Sequence, residues 1–207
     1  MSGPLARLLQ HPRMRAVLDC PAMFAAFRFL LVGAQTRTHA LLRQRLEAGP
    51  GERVLDVCCG IGEFARDVDA EYVGIDLNAR FIEAAAARYA GSPRKSFRVM
   101  DALRMDFPDK SFDRCIFING LHHFSDADGR HLLREIRRVT RGRVILIDAD
   151  GRPRGLVRRA LIAADRGEWM RTSDALRRLI GEVLEVRDVV RFEVGFYTEL
   201  LHDCRVS

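Results

Sequence analysis

Three short apolar runs in this sequence end in residues suited to holding a nucleoside. Arg53–Val57 runs into Cys58-Cys59-Gly60-Ile61-Gly62, Tyr72–Ile75 ends at Asp76, and Phe97–Met100 ends at Asp101. Glycine at 60 and 62 lets the backbone turn tightly and approach a ligand with no Cβ in the way. A helix opening there would aim its free N–H groups at that ligand. Asp76 can accept two hydrogen bonds from a ribose diol. Asp101 can accept from an exocyclic amine such as that of adenine. Asp56 adds a carboxylate inside the first run. Singly these are weak signals, because a Gly-x-Gly is common and an Asp closing a strand usually caps a turn or helix. As an ordered set they point to an adenosine-bearing ligand.

His122 and His123 follow a fourth apolar run, Phe112–Ile118. Histidine takes a proton at neutral pH, so one of the pair is a candidate general base or acceptor-orienting group. The bland alternative is a pair that caps the loop and packs near the cofactor. Arg28 or Arg37 could meet a carboxylate of that ligand, Arg171 could meet a second substrate, and Trp169 and Tyr197 could wall the second substrate's pocket. A structural or solvated role is the competing reading for each.

These residues need a scaffold that puts strand ends on one edge. Apolar runs at 53–57, 72–75, 97–100, 112–118 and 143–147 alternate with helical stretches at 62–69, 79–89 and one opening at Ser125. Ser125 with Asp128 resembles a capping box, and Leu132, Leu133, Ile136 and Val139 give that helix an apolar face. The alternation implies a parallel sheet with helices on both faces, whose ligands sit at the carboxyl ends of the strands. Further helices are expected at 36–46, 154–164 and 173–183. Val186–Phe192 and Phe196–Val206, joined at Gly195, read as a hairpin that adds an antiparallel strand. The break at Gly49-Pro50-Gly51 divides a helical cap, residues 1–48, from the main domain, 49–207.

The 207 residues fit a single domain with such a cap. No apolar run reaches eighteen residues and no signal layout opens the chain, so a cytoplasmic protein is expected. Five cysteines without repeated C-x-x-C spacing argue against zinc and disulfides, so no metal is expected. The net charge of +6 is carried almost wholly by arginine, since only Lys95 and Lys110 are lysines. Residues 1–50 hold seven basic and two acidic side chains, and 126–178 hold fourteen and eight, whereas 51–125 hold ten and twelve. Positive charge outside the middle of the chain suggests an anionic small-molecule acceptor, bearing phosphate or carboxylate.

Val54-Leu55-Asp56-Val57-Cys58-Cys59-Gly60-Ile61-Gly62 with Tyr72-Val73-Gly74-Ile75-Asp76-Leu77-Asn78 resembles the first two motifs of class I S-adenosylmethionine-dependent methyltransferases. Met100-Asp101-Ala102 resembles the third, and Ser111-Phe112-Asp113 with Asn119-Gly120-Leu121-His122-His123-Phe124 the fourth. The resemblance covers about residues 50–150. It implies a Rossmann-like, mostly parallel seven-stranded sheet with one antiparallel strand, and S-adenosyl-L-methionine as cofactor. It implies that Asp76 with Leu77 holds the ribose side and that Asp101 with Ala102 holds the adenine. The backbone around Cys58, Cys59, Gly60 and Gly62 would pass the methionine part, with Asp56 beside it and Asn119 with Gly120 near the sulfonium. The sequence departs from the family at Cys58, where a glycine usually stands, and lacks the Lys-Pro-Gly-Gly often found before strand five.

Two rivals belong to other classes. Gly60-Ile61-Gly62-Glu63-Phe64-Ala65 satisfies the G-x-G-x-x-A of nicotinamide dehydrogenases. Against that, Asp76 comes only sixteen residues after Gly60, Asp101 has no role, and no second substrate domain follows. The other rival is a non-catalytic module that keeps the fold, which Cys58 makes worth testing. RNA methylation is disfavoured by the lack of an Asn-Pro-Pro-Tyr-type motif or an appended RNA-binding domain.

Overall fold

The structure, a computed structural model, describes residues 20–152 and 168–206. Seven strands form one sheet: β1 (Arg53–Val57), β2 (Glu71–Asp76), β3 (Lys95–Val99), β4 (Phe112–Ile118), β5 (Thr140–Ala149), β6 (Glu185–Val194) and β7 (Tyr197–Arg205). Their order is β3-β2-β1-β4-β5-β7-β6. The first five pair in parallel, and β7 lies antiparallel between β5 and β6. The order reverses between β1 and β4, which makes their carboxyl ends the switch point where such sheets bind ligands.

The helices are α1 (Pro21–Val32), α2 (Thr36–Leu46), α3 (Ala79–Arg88), α4 (Asp126–Val139) and α5 (Ser173–Gly181). Asn78 caps α3 by accepting from the Arg80 and Phe81 amides, and Ser125 caps α4 by accepting from the Asp128 amide. Alternate residues along the strands feed two cores. Leu55, Val57, Phe117 and Leu146 pack with Leu132, Ile136 and Leu176 of α4 and α5. Val54, Tyr72, Ile116 and Ile145 pack with Leu42 of α2 and with Phe64 and Ala65. Near-continuous burial along β1, β2, β4 and β5 reflects helices on both faces.

The stretch after Gly62 differs from the helix expected over 62–69. It is one 3-10 turn, Glu63–Asp67, followed by extended Val68. Only residues 63–70 link Gly62 to β2. Five residues of parallel strand must be retraced, about 16 Å. Eight α-helical residues would cover about 12 Å, so a looser turn and an extended return replace the helix. The helical expectation for 154–164 lies outside the described residues, as do residues 1–19.

The first helix runs along the carboxyl edge of the sheet. Phe24 packs on Phe81 in the first turn of α3, with ring centroids 4.8 Å apart. At its other end the Leu31 carbonyl accepts from the Phe196 amide in the β6–β7 turn at 3.1 Å. Twelve residues give about 18 Å of helix, close to the four strand spacings, about 19 Å, that separate β2 from β7.

Candidate functional site

The loop after β1 holds Cys58, Gly60 and Gly62 in left-handed conformations, at φ of 57°, 55° and 69°. This coil turns the Gly60 amide onto Asp76 Oδ2 at 2.9 Å, while Asp76 Oδ1 accepts from the Asn78 amide at 2.9 Å. Asp76 is thus fixed at both oxygens. Each oxygen retains acceptor capacity, the requirement for taking a diol. A Cβ on Gly60 would meet nothing within 4 Å, so this glycine borders open space. At Gly62 a Cβ would lie 2.8 Å from the Phe97 ring. The two glycines therefore serve different ends, close ligand approach at 60 and packing at 62.

Gly60→Ala separates approach from folding. We expect a stability loss of about 1–2 kcal/mol from the left-handed backbone alone. A much larger loss of nucleoside affinity should accompany it, because the new methyl enters the cradle. Thermal melts and calorimetry on one sample check both. Undiminished affinity would remove the loop from the site.

Asp56 sits beneath this loop. Its carboxylate accepts the Tyr72 hydroxyl at 2.5 Å, and it is 1% exposed. Burial, with Asp76 adding and the Tyr72 bond opposing, pushes its pKa up to about 7. The expectation of a ligand-touching Asp56 becomes one of support from below. Cys59 also points inward, its Sγ 2.8 Å from where a Cβ on Gly74 would stand. The Cys58 thiol is half-buried. Burial first, then the fields of Asp76, Asp56 and Asp101, raise its pKa far above the ordinary thiol range. It stays neutral and is a poor nucleophile. With Asp76 and Asp101 at its rim, this loop is a place for a cation.

At the β3 end, the Met100 amide donates to the Asp76 carbonyl at 3.1 Å, tying the two strand ends together. Asp101 is exposed and accepts from the Leu103 amide at 2.9 Å. Ala102 is buried beside Met105, and Leu77 stands exposed next to Asp76. This edge therefore offers one apolar and two acidic groups. These acceptors fit an adenosyl group carrying a positive charge.

At the β4 end, Asn119 is left-handed at φ 53°. Its side chain donates to Glu199 Oε1 at 2.9 Å, and Thr38 of α2 donates to Oε2 at 3.1 Å. Glu199 is 1% exposed, and burial raises its pKa against those bonds. Asn119 thus reaches toward β7, and what it offers the site is backbone. Gly120 is buried against Phe117. Sequence reasoning missed Glu199, which stands among other polar residues of β7, Thr198, His202 and Asp203, and has nothing local to set it apart.

The histidines diverge. His122 is buried, and its Nδ1 lies 2.5 Å from Asp148 Oδ1 at the end of β5. Asp148 Oδ2 accepts the His122 amide at 2.9 Å, and Oδ1 also accepts the Ala149 amide at 2.8 Å. Burial would raise the Asp148 pKa, but the His122 charge and these hydrogen bonds outweigh it and hold the carboxyl below its ordinary range. His123 is exposed, its ring 4.3 Å from that of His122. Asp148, one residue past the expected strand 143–147, was not among the candidate site residues.

The remaining candidates are mostly engaged inside the fold. Arg28 donates to Gln35 at 2.9 Å and lies 4.0 Å from Glu63. Arg37 lies over Phe192, and Tyr197 is buried. Arg171, for which a structural role was the competing reading, is buried and bonded to Asp126, Leu121, Trp169 and Phe124. Trp169 is half exposed, and its amide donates to the His122 carbonyl at 3.0 Å. Among the described residues, no cluster of His, Cys, Asp or Glu could hold a metal.

The strand order and the left-handed loop after β1 belong to a Rossmann-like fold that the chain shares with solved S-adenosylmethionine-dependent methyltransferases. Residues 54–143 match the family model described as a methyltransferase domain. The chain is 34% identical over 127 residues to methyltransferase GfsG of Streptomyces halstedii, covering 57% of this chain and 45% of that protein. It therefore spans less than half the length of that curated relative. A crystal structure of an S-adenosylmethionine-dependent methyltransferase from Aquifex aeolicus superposes with a TM-score of 0.70 at 17% identity, covering 90% of this chain and 98% of the other. The [4+2]-cyclase SpnF superposes at 0.69 and 20% identity, covering 82% and 79%. At these identities the two structures share the fold.

Proposed function

We propose that this chain binds S-adenosyl-L-methionine along the carboxyl edge and transfers its methyl group to a small-molecule acceptor. Bound there, the cofactor supplies a methyl group on a sulfonium that departs as a neutral thioether in an in-line displacement. Asp76 accepts the ribose hydroxyls, Asp101 and the Ala102 backbone take the adenine, and Leu77 covers it. The 58–62 backbone passes the methionine part, with Asn119 and Gly120 flanking the sulfonium. Asp76 and Asp101 favour its charge. Alignment of acceptor and methyl supplies most of the rate. For an acceptor that must lose a proton, His122 receives it at Nε2, because Asp148 keeps the other proton on Nδ1. The observation that carries this reading is Asp76, locked by two backbone amides yet able to accept more. A second reading, a nucleoside-binding fold without methyl transfer, rests on the left-handed Cys58 in the loop.

For the acceptor we infer an apolar body. Among the described residues, arginines 28, 43, 45, 130, 138, 143 and 171 lie against carboxylates of the chain itself, so these seven are already engaged. The exposed large apolar side chains among the described residues are Met23, Phe29, Leu30, Leu77, Val99, Trp169 and Phe196. All seven stand on α1, at the ends of β2 and β3, beside His122 or in the β6–β7 turn, around one edge of the sheet. Apolar patches of this kind mark binding sites.

Trp169 is the only tryptophan of the chain, so its fluorescence reports that edge. With S-adenosylhomocysteine present, decanol and decyl phosphate are both expected to shift its emission with similar midpoints that depend little on salt. A response to decyl phosphate alone, weakening with salt, would favour the anionic acceptor. No response to either would remove the apolar reading.

A further inference from the structure

We infer that Arg171 is a positioning residue that sets the His122–Asp148 pair, an inference that rests on the proposed base. Its guanidinium faces the loop between β4 and α4. Nη1 donates to the Leu121 carbonyl at 3.0 Å and to the Trp169 carbonyl at 3.2 Å. Nη2 donates to the Phe124 carbonyl at 2.7 Å. Nε donates to Asp126 Oδ1 at 2.9 Å, and Nη2 lies 2.7 Å from the same oxygen. The carbonyls at 121 and 124 bracket the two histidines.

The backbone of the same residue faces the other half of the pair. The Arg171 carbonyl accepts from the Gly151 amide at 2.7 Å, three residues beyond Asp148. A Cβ on Gly151 would stand 2.9 Å from that carbonyl oxygen, so the approach is close. Two residues earlier, the Trp169 amide donates to the His122 carbonyl. Segment 168–172 is thus stitched to the loop carrying His122 and to the strand end carrying Asp148.

The fork geometry explains why the residue is arginine. Three backbone carbonyls and one carboxylate surround a planar group with five donors, and the 8% exposure of Arg171 leaves little water to substitute for any of them. Lysine keeps the charge but has a single donor head that cannot span the four acceptors. Asp126 offsets the buried cation from one side and is itself 63% exposed at its side chain. Without the clasp, the 3-10 turn Leu121–His123 loses its tether, and the 2.5 Å contact of Nδ1 with Asp148 loosens.

The test needs no acceptor. In protein labelled with 15N-histidine, the Nδ1 proton of His122, assigned by its loss in His122→Gln, is followed by NMR. In Arg171→Lys its exchange with water is expected to accelerate by about ten- to a hundredfold, the worth of one or two charge-assisted hydrogen bonds. Far-ultraviolet circular dichroism and S-adenosylhomocysteine affinity should stay within about twofold of the parent. Asp126→Asn, which leaves the carbonyl contacts in place, should give a smaller acceleration and guards against Arg171→Lys failing to fold. Arg130→Lys, in the exposed pair with Glu182, is the control with no change. Unaltered exchange in both site variants overturns the positioning role while leaving the proposed base standing. Absence of a protected Nδ1 proton in the parent protein sinks the pair itself.

With an acceptor in hand, Arg171→Lys should lower kcat about tenfold in the parent and less than about twofold in the His122→Gln background. Equal effects in the two backgrounds would mark a general structural role.

Discussion

Asp76→Ala is expected to weaken S-adenosylhomocysteine binding by about 10²- to 10⁴-fold, measured by calorimetry. Two hydrogen bonds from a diol to a carboxylate are each worth about 1.5–3 kcal/mol. The substitution also strips the Gly60 and Asn78 amides of their acceptor. The left-handed loop and the first turn of α3 then lose a common anchor. Asp76→Asn should fall between the two, since its single carbonyl oxygen cannot serve both amides and a diol. Binding within about threefold of the parent in both variants would remove Asp76 from the nucleoside site.

The second large effect is expected at the other end of the site. Asp148→Asn preserves volume but removes the charge that pairs with His122 across 2.5 Å. It can also present an N–H to Nδ1, which drives the ring to the tautomer whose Nε2 already carries a proton. For an acceptor that must be deprotonated, turnover should fall by about 10²- to 10⁴-fold, with S-adenosylhomocysteine affinity unchanged within about twofold. His122→Gln should do the same, and the double variant should be no worse than the poorer single one. Because the Asp148 pKa is lowered by folding, its contribution to stability is fully present above the ordinary carboxylate range. It is lost as pH falls through the lower, folded-state value. Parent and Asp148→Asn stability curves should therefore converge only in strong acid. Equal turnover in parent and Asp148→Asn would end the general-base account for this acceptor.

Much of the architecture was legible because strands buried on both faces write themselves as unbroken apolar runs. β1 and β4 matched their runs residue for residue, as did α2, and the hairpin announced by Gly195 supplied β6 and β7. The strand-end carboxylates were legible because a sheet with helical crossovers must bring those ends to one edge. What was not legible depends on side-chain direction and distance. Period two put Asp56 on the face of Val54 and Tyr72, but only the packing of Tyr72 shows that its hydroxyl closes over that carboxylate. The helix expected after Gly62 failed because the link to β2 is too short for one. Glu199 and Asp148 gave no local signal, since their partners lie 80 and 26 residues away. For Arg171 the acceptor-facing and structural readings stayed open, because a charge pattern cannot tell a solvent-facing arginine from one buried among carbonyls.

The proposed function stands or falls on whether the ends of three adjoining strands hold one adenosyl group. A crystal structure with S-adenosylhomocysteine tests it most directly. The ribose hydroxyls are expected on Asp76, the adenine amine at Asp101, and the amino-acid tail passing the backbone of residues 58–62. Adenosine seated elsewhere, or Asp76 and Asp101 opening on separate cavities with the Cys58 side chain between them, would contradict it.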